Sequence, residues 1–308
     1  MNCQIKRSVA TCIGVVSVFA SLNLYSAETV EVIYENNFEA GVVPSGPDLY
    51  FKAESGATMS VSANKSLNYN GSVGSLRGAY PIAAGDGGYY LYATVGMPRK
   101  DISELFIEFK AKIPGNKQGS KFLKIFGQYS SSTGYANTTF GLDYTSGDMN
   151  AVSFGSGDLD GRAQLANDTH NVILFNGDYP TWIGRSVNVA KVSTPQKKAW
   201  RASDWGDGWH HFRFHLKFNT GTSVQTERAD GKYYVEIDGK VYVDAKEVFN
   251  RHHLNGPIDR IELFGWSQNG TKTFEIWYDD LRITTGNFLD NPIGTAPMPP
   301  STVSMQAR

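Results

Sequence analysis

The chain has 308 residues, with 29 lysines and arginines against 30 aspartates and glutamates, 41% apolar residues and two cysteines. This balance excludes a general nucleic-acid binder, which carries a basic excess. The length suffices for one large core, so no disulfide framework is required.

The first element is a leader. Lys6 and Arg7 precede an apolar run over 9–20, about the length of a signal-peptide core and too short to span a bilayer. Cleavage is expected after Ala20 or Ala27, and residues 1–27 are assigned to the leader. Its removal takes away Cys3 and Cys12 and leaves 27 basic against 30 acidic side chains. A secreted protein, extracellular or periplasmic, with no membrane-spanning part is expected.

Segments of alternating polarity follow, separated by Gly, Asn, Asp and Ser clusters: VEVIYENNFEA, GYYLYATVG, ELFIEFKAKI, KFLKIFGQY, WHHFRFHLKFN, KYYVEIDGKVYVDA, IDRIELFGW and FEIWYDDLRITT. In ELFIEFKAKI, Leu105, Ile107, Phe109 and Ile113 alternate with Glu108, Lys110 and Lys112, the pattern of a strand buried on one face. Asp238-Gly239 between two such runs is a two-residue hairpin signal. Many strands and no long amphipathic helix predict an antiparallel two-sheet sandwich or β-jelly roll over 28–286, as a monomer. Residues 145–208 are Gly-, Asn- and Asp-rich with short strand candidates such as NVILFNG, which suits a lid or binding loop. Residues 287–308 read as a disordered tail or linker.

KFLKIFGQYS (121–130) threads Lys124 and Gln128 among large apolar residues. Strict alternation puts Leu123 and Ile125 on one face and Phe122, Lys124, Phe126 and Gln128 on the other. Either Lys124 extends to a sheet edge or it faces a ligand groove.

The order of these features resembles the concanavalin A-like jelly-roll polysaccharide lyases. SLRGAY (75–80) is similar to their Arg-bearing strand, IFGQYS (125–130) to their I-G-Q-I-H strand, and LFGWSQ (263–268) to their late Y-F-K-A-G strand. WHHF with EIDGK, and FEIWYDDLRI, resemble the superfamily's W-H/V-D-G pair and its last strand. Ser130 stands at the place of the family's catalytic His and Trp266 at that of its Tyr, so the resemblance points to ulvan or glucuronan lyases rather than alginate lyases. Some ulvan lyases of this fold use a Lys and Tyr pair.

The resemblance implies removal of the proton beside a uronate carboxylate and expulsion of the linked sugar, which requires the carboxylate to be neutralised and a base and acid nearby. Arg77, Lys124 and Gln128 are expected to converge on one concave face, with Arg77 holding the carboxylate. Lys124 is expected to act as base or as carboxylate partner, since burial among rings favours the neutral amine that a base requires. Tyr144 and His170 are further acid or base candidates. Phe122 and Trp266 are expected to carry sugar rings, beside Gln268, Tyr179, Trp182 and Arg185 on the groove walls. His211, Arg213, His215 and Lys217 form a basic row that either grips an anionic polymer or is a solvated row on the outer sheet. A retaining glucanase is excluded, because EIWYDD lacks the final Glu of the paired-acid strand. Glu39 with Asp279 or Asp280 is expected to hold one structural calcium ion between the terminal strands. No organic cofactor is expected. The reading is an endo-acting lyase of an anionic, uronate-containing polysaccharide. The alternatives are a non-catalytic carbohydrate-binding module and a structural surface protein.

Overall fold

The computed structural model describes residues 29–44, 49–53, 56–81, 89–113, 121–128, 137–142, 149–154, 172–176, 179–183, 208–223, 226, 228, 230–248, 256–267 and 273–289. In chain order the strands are β1 (Glu31–Asn36), β2 (Leu49–Ala53), β3 (Thr58–Ser62), β4 (Ser75–Tyr80), β5 (Tyr89–Gly96), β6 (Glu104–Lys112), β7 (Lys121–Gly127) and β8 (Asn137–Leu142). They continue with β9 (Met149–Phe154), β10 (Val172–Asn176), β11 (Tyr179–Ile183), β12 (His210–Lys217), β13 (Gly231–Ile237), β14 (Lys240–Val248), β15 (Ile258–Ser267) and β16 (Phe274–Thr285).

They build two eight-stranded sheets, and every pairing is antiparallel. Sheet A runs β14-β13-β12-β6-β16-β4-β3, with β1 also on β16; sheet B runs β11-β10-β9-β8-β7-β15-β5-β2. This is the expected β-jelly roll. Asp238 and Gly239 both take positive φ, 51° and 76°, as a two-residue turn between β13 and β14 demands. NVILFNG supplies β10, which extends sheet B.

The core lies between the sheets and combines aliphatic side chains with a group of aromatic rings. Phe212 and Phe214 of sheet A, stacked on Phe109 of the same sheet, meet Phe122 of sheet B, with Phe122 5.8 Å from Phe212 between ring centroids. Gly78 in β4 sits directly beneath Phe264 and Leu91, where a Cβ would overlap both side chains.

Three irregularities decide which residues face outward. The β7–β8 register slips at Phe122, between the Lys121–Gly141 and Leu123–Phe140 pairs. Phe122 and Leu123 are therefore both core residues, and Phe122 is not a sugar platform. On β15, Phe264 takes φ 66°, and both it and Leu263 enter the core. The hydroxyl of the buried Tyr278, reaching across from sheet A, serves both places: it donates to the Phe122 carbonyl and accepts from the Phe264 N–H. On β16, the register slips between Asp279 and Arg282, with Asp280 at φ 48°. Core positions change there from Phe274, Ile276 and Tyr278 to Leu281 and Ile283, so Arg282 turns outward.

Candidate functional site

With Leu123 and Ile125 in the core, alternation sends Lys124 to the outer face of sheet B. Phe126 shares that face, since its ring centroid lies 5.6 Å from Lys124 Nζ. β15 brings the partners: Arg260 pairs with Phe126 and Glu262 with Lys124 in the ladder. The Arg260 guanidinium lies 4.0 Å from the centre of the Phe126 ring. Glu262 divides its carboxylate, with Oε2 3.9 Å from Lys124 Nζ and Oε1 accepting from Arg260 Nε at 3.2 Å. Arg260 Nη1 also donates to Asp259 at 3.0 Å. Two cations thus flank one aromatic ring and share one carboxylate.

This changes the role open to Lys124. A lysine alone among rings is pressed toward the neutral amine, but here a carboxylate faces it across the ladder. The arrangement suits an ammonium that grips an anion rather than a proton acceptor. Gln128 lies just past the end of β7, where its N–H donates to the Pro257 carbonyl at 2.7 Å and its side chain packs on Gly256.

Arg77 does not join this group. β4 pairs with β3 and β16 in sheet A, while the place beside β15 in sheet B is taken by β5. Leu76 points to the core, so Arg77 lies on the outer face of sheet A, ion-paired with Glu275 and 5.7 Å from the Trp277 ring. The whole sandwich separates it from Lys124, and the expected convergence of Arg77, Lys124 and Gln128 fails on sheet membership.

His211 and Arg213 also belong to sheet A, on β12, and their row is neither free nor merely solvated. Glu35, Arg282, Glu108, Arg213 and Glu236 form an alternating charge ladder across β1, β16, β6, β12 and β13. Arg282 bonds Glu35 at 2.7 Å and Glu108 at 3.0 Å, and His211 Nε2 stands 3.7 Å from Glu108. Burial pushes the Glu108 carboxyl up, but His211 and the guanidinium groups of Arg282 and Arg213 together hold it below its ordinary value.

Around the expected calcium ligands, Glu39 accepts the Val73 N–H and the buried Asp279 accepts the hydroxyls of Ser72 at 2.9 Å and Ser75 at 2.6 Å. Burial raises both Asp279, to about 7, and Asp280. Among the described residues no three carboxylate, imidazole or thiol groups gather as a cation site.

Trp266 lies on β15 in sheet B, in register with Tyr90 of β5. Tyr179 and Trp182 lie on β11, at the far edge of the same sheet. Tyr144, His170, Arg185 and Gln268 fall outside the described residues.

Sequence reasoning missed Arg260 and Glu262. Their signal was present in IDRIELF, where alternation from the core residues Ile261 and Leu263 puts both on the opposite face. It also missed the pair of Tyr92 on β5 and Lys52 on β2, which oppose each other in the ladder with Nζ 6.0 Å from the ring centre.

No family model matches the chain, and no curated protein matches it. Among solved structures it is similar to an endo-β-1,4-glucuronan lyase from the fungus Trichoderma reesei, at 15% identity and TM-score 0.49 over 76% of this chain and 89% of that one. It is similar to an alginate lyase from a Chlorella virus, at 15% identity and TM-score 0.48 over 82% and 99% of the two chains. It is also similar to the catalytic domain of a laminarinase from Thermotoga petrophila, at 12% identity and TM-score 0.42 over 83% and 98%. The likeness is one of fold, the two-sheet jelly roll described above.

Proposed function

We propose that the chain is a secreted, endo-acting lyase of a uronate-containing polysaccharide of the glucuronan or ulvan type, cleaving by β-elimination on the outer face of sheet B. The observation that carries this reading is the placement of Lys124 and Arg260 about the Phe126 ring, with Glu262 between them. Phe126 itself is buried, with Arg260 lying over its ring, so this face presents charge: the two cations offer what a uronate carboxylate requires. Neutralising that carboxylate stabilises the negative charge that develops when the adjacent proton leaves, which is the main electrostatic demand of the reaction. Arg260 takes the part that Arg77 cannot reach.

The same Lys124–Glu262 pair favours a second reading, a carbohydrate-binding module, because an ion-paired lysine grips an anion without taking a proton. Incubation with glucuronan, ulvan, alginate and heparinoids separates the two. The lyase gives rising ultraviolet absorbance from the unsaturated uronate product, and Lys124→Ala slows that rise by roughly 10²–10³-fold. Retention on the polymer in affinity electrophoresis with no absorbance gain on any member of the panel rejects the lyase in favour of the module.

A further inference from the structure

We propose that Lys52 and Tyr92 form a second anionic-sugar subsite on the outer face of sheet B, taking a uronate of the same polymer that Lys124 and Arg260 hold; this rests on the proposed polyuronate substrate. Tyr92 stands between the core residues Leu91 and Ala93, so its side chain is on the outer face with Lys124 and Phe126. Lys52 is its direct ladder partner and lies on the same side, its Nζ 6.0 Å from the ring centre. The arrangement repeats the first site, with an ammonium beside an aromatic ring on neighbouring strands of the same sheet. A neutral glucan needs only the ring. A ring with a cation beside it suits a sugar that carries a carboxylate.

The ladder also sets the spacing. β15 pairs Arg260 with Gly96 and Phe264 with Tyr92, so the second site is displaced along the strands from Arg260 by the stretch Gly96 to Tyr92. It is also displaced sideways, from β7 and β15 to β5 and β2. Strand rise and strand spacing then separate the two sites by roughly 16 Å, a span of roughly three linked sugar rings. Thr94, in register with Glu262, stands between them on the same face with a short side chain. A chain shorter than this span meets one site at a time, whereas a longer chain meets both, and the second contact is then intramolecular.

The test is the apparent affinity of the full chain for oligoglucuronates, a trimer and a hexamer, read as KM from initial ultraviolet rates where turnover is seen and by calorimetric titration where it is not. In the wild type the hexamer binds more tightly. In Lys52→Ala and in Tyr92→Leu the hexamer-to-trimer affinity ratio falls roughly five- to tenfold, while Tyr92→Phe keeps it. Lys65→Ala, on an exposed loop of the other sheet, serves as the control and keeps the wild-type ratio. Lys52→Gln, which preserves side-chain length, gives the same fall as Lys52→Ala and guards against a folding defect, as do unchanged thermal melts. A ratio unchanged in the Lys52 and Tyr92→Leu variants, with the wild type binding both oligomers, overturns this subsite alone. A wild type that binds neither oligomer overturns both the subsite and the polyuronate reading.

Discussion

Lys124 and Glu262 face each other across the β7–β15 ladder, with Nζ 3.9 Å from Oε2, on the side of sheet B turned away from the core. The second oxygen of the same carboxylate accepts from Arg260, so one acidic group holds two cations over the Phe126 ring. The charge of Lys124, rather than a free amine, is what this geometry preserves.

Lys124→Ala therefore lowers turnover by roughly 10²–10³-fold, the usual scale for removing one electrostatic stabiliser of a developing anion. Lys124→Arg keeps activity within roughly tenfold, because the guanidinium retains the charge. Lys124 and Glu262 are only 18% and 12% exposed, so Lys124→Ala costs about 1–3 kcal/mol although Glu262 keeps Arg260, and Lys124→Arg, which leaves a cation there, costs less. Initial rates of ultraviolet absorbance read the first two outcomes. An Arg variant as inactive as the Ala variant shows that the lysine's proton, and not its charge, is used.

Tyr278 ties the two sheets at the point where sheet B departs from regular geometry. Its buried hydroxyl bonds the Phe122 carbonyl and the Phe264 N–H, and burial raises its pKa well above the ordinary value. Tyr278→Phe leaves both backbone groups without that partner and costs about 1–3 kcal/mol. The midpoint of urea unfolding falls while its slope stays constant. Because Lys124 and Phe126 follow this irregularity on β7, activity falls with it.

The charge ladder of sheet A makes stability depend on acid. Glu108 is nearly buried and its folded pKa is depressed below 4.5, with burial opposed by His211, Arg282 and Arg213. A depressed carboxyl stabilises the fold above its unfolded pKa, and that contribution is lost as pH falls through the folded value. Melting temperatures are expected to drop below about pH 4 as this contribution is lost. Glu108→Gln removes this acid limb and lowers stability at neutral pH by about 3–5 kcal/mol, since it leaves the buried Arg282 with only Glu35.

Asp279 acts in the opposite sense. Burial raises its carboxyl from 3.8 to about 7, and the hydroxyls of Ser72 and Ser75 offset only part of that. A raised acid binds its proton more tightly in the folded state, so its contribution is fully present below pH 3.8 and lost as pH rises through about 7. Asp279→Asn is expected to be more stable than the wild type at pH about 8, by at most ~4 kcal/mol, and equal to it in acid. Guanidinium titrations at the two pH values test this. A variant less stable than the wild type at the higher pH rejects the assignment.

The sequence by itself determined strands β1, β5–β7, β10 and β12–β16, the hairpin at Asp238-Gly239 and the one-sided burial of ELFIEFKAKI, because side-chain alternation and turn chemistry are local properties. It also placed Lys124 on the face opposite Leu123 and Ile125. Only the tertiary structure decided which strands share a sheet. SLRGAY and GYYLYATVG both read as strands, and long-range pairing put Arg77 in sheet A and Tyr92 in sheet B. The slip at Phe122 lay equally out of reach, since a bulge reverses a face without altering the local pattern. The partners of Lys124 were hidden for the same reason. Glu262 and Arg260 are remote in sequence, and only the register of β15 against β7 brings them beside it.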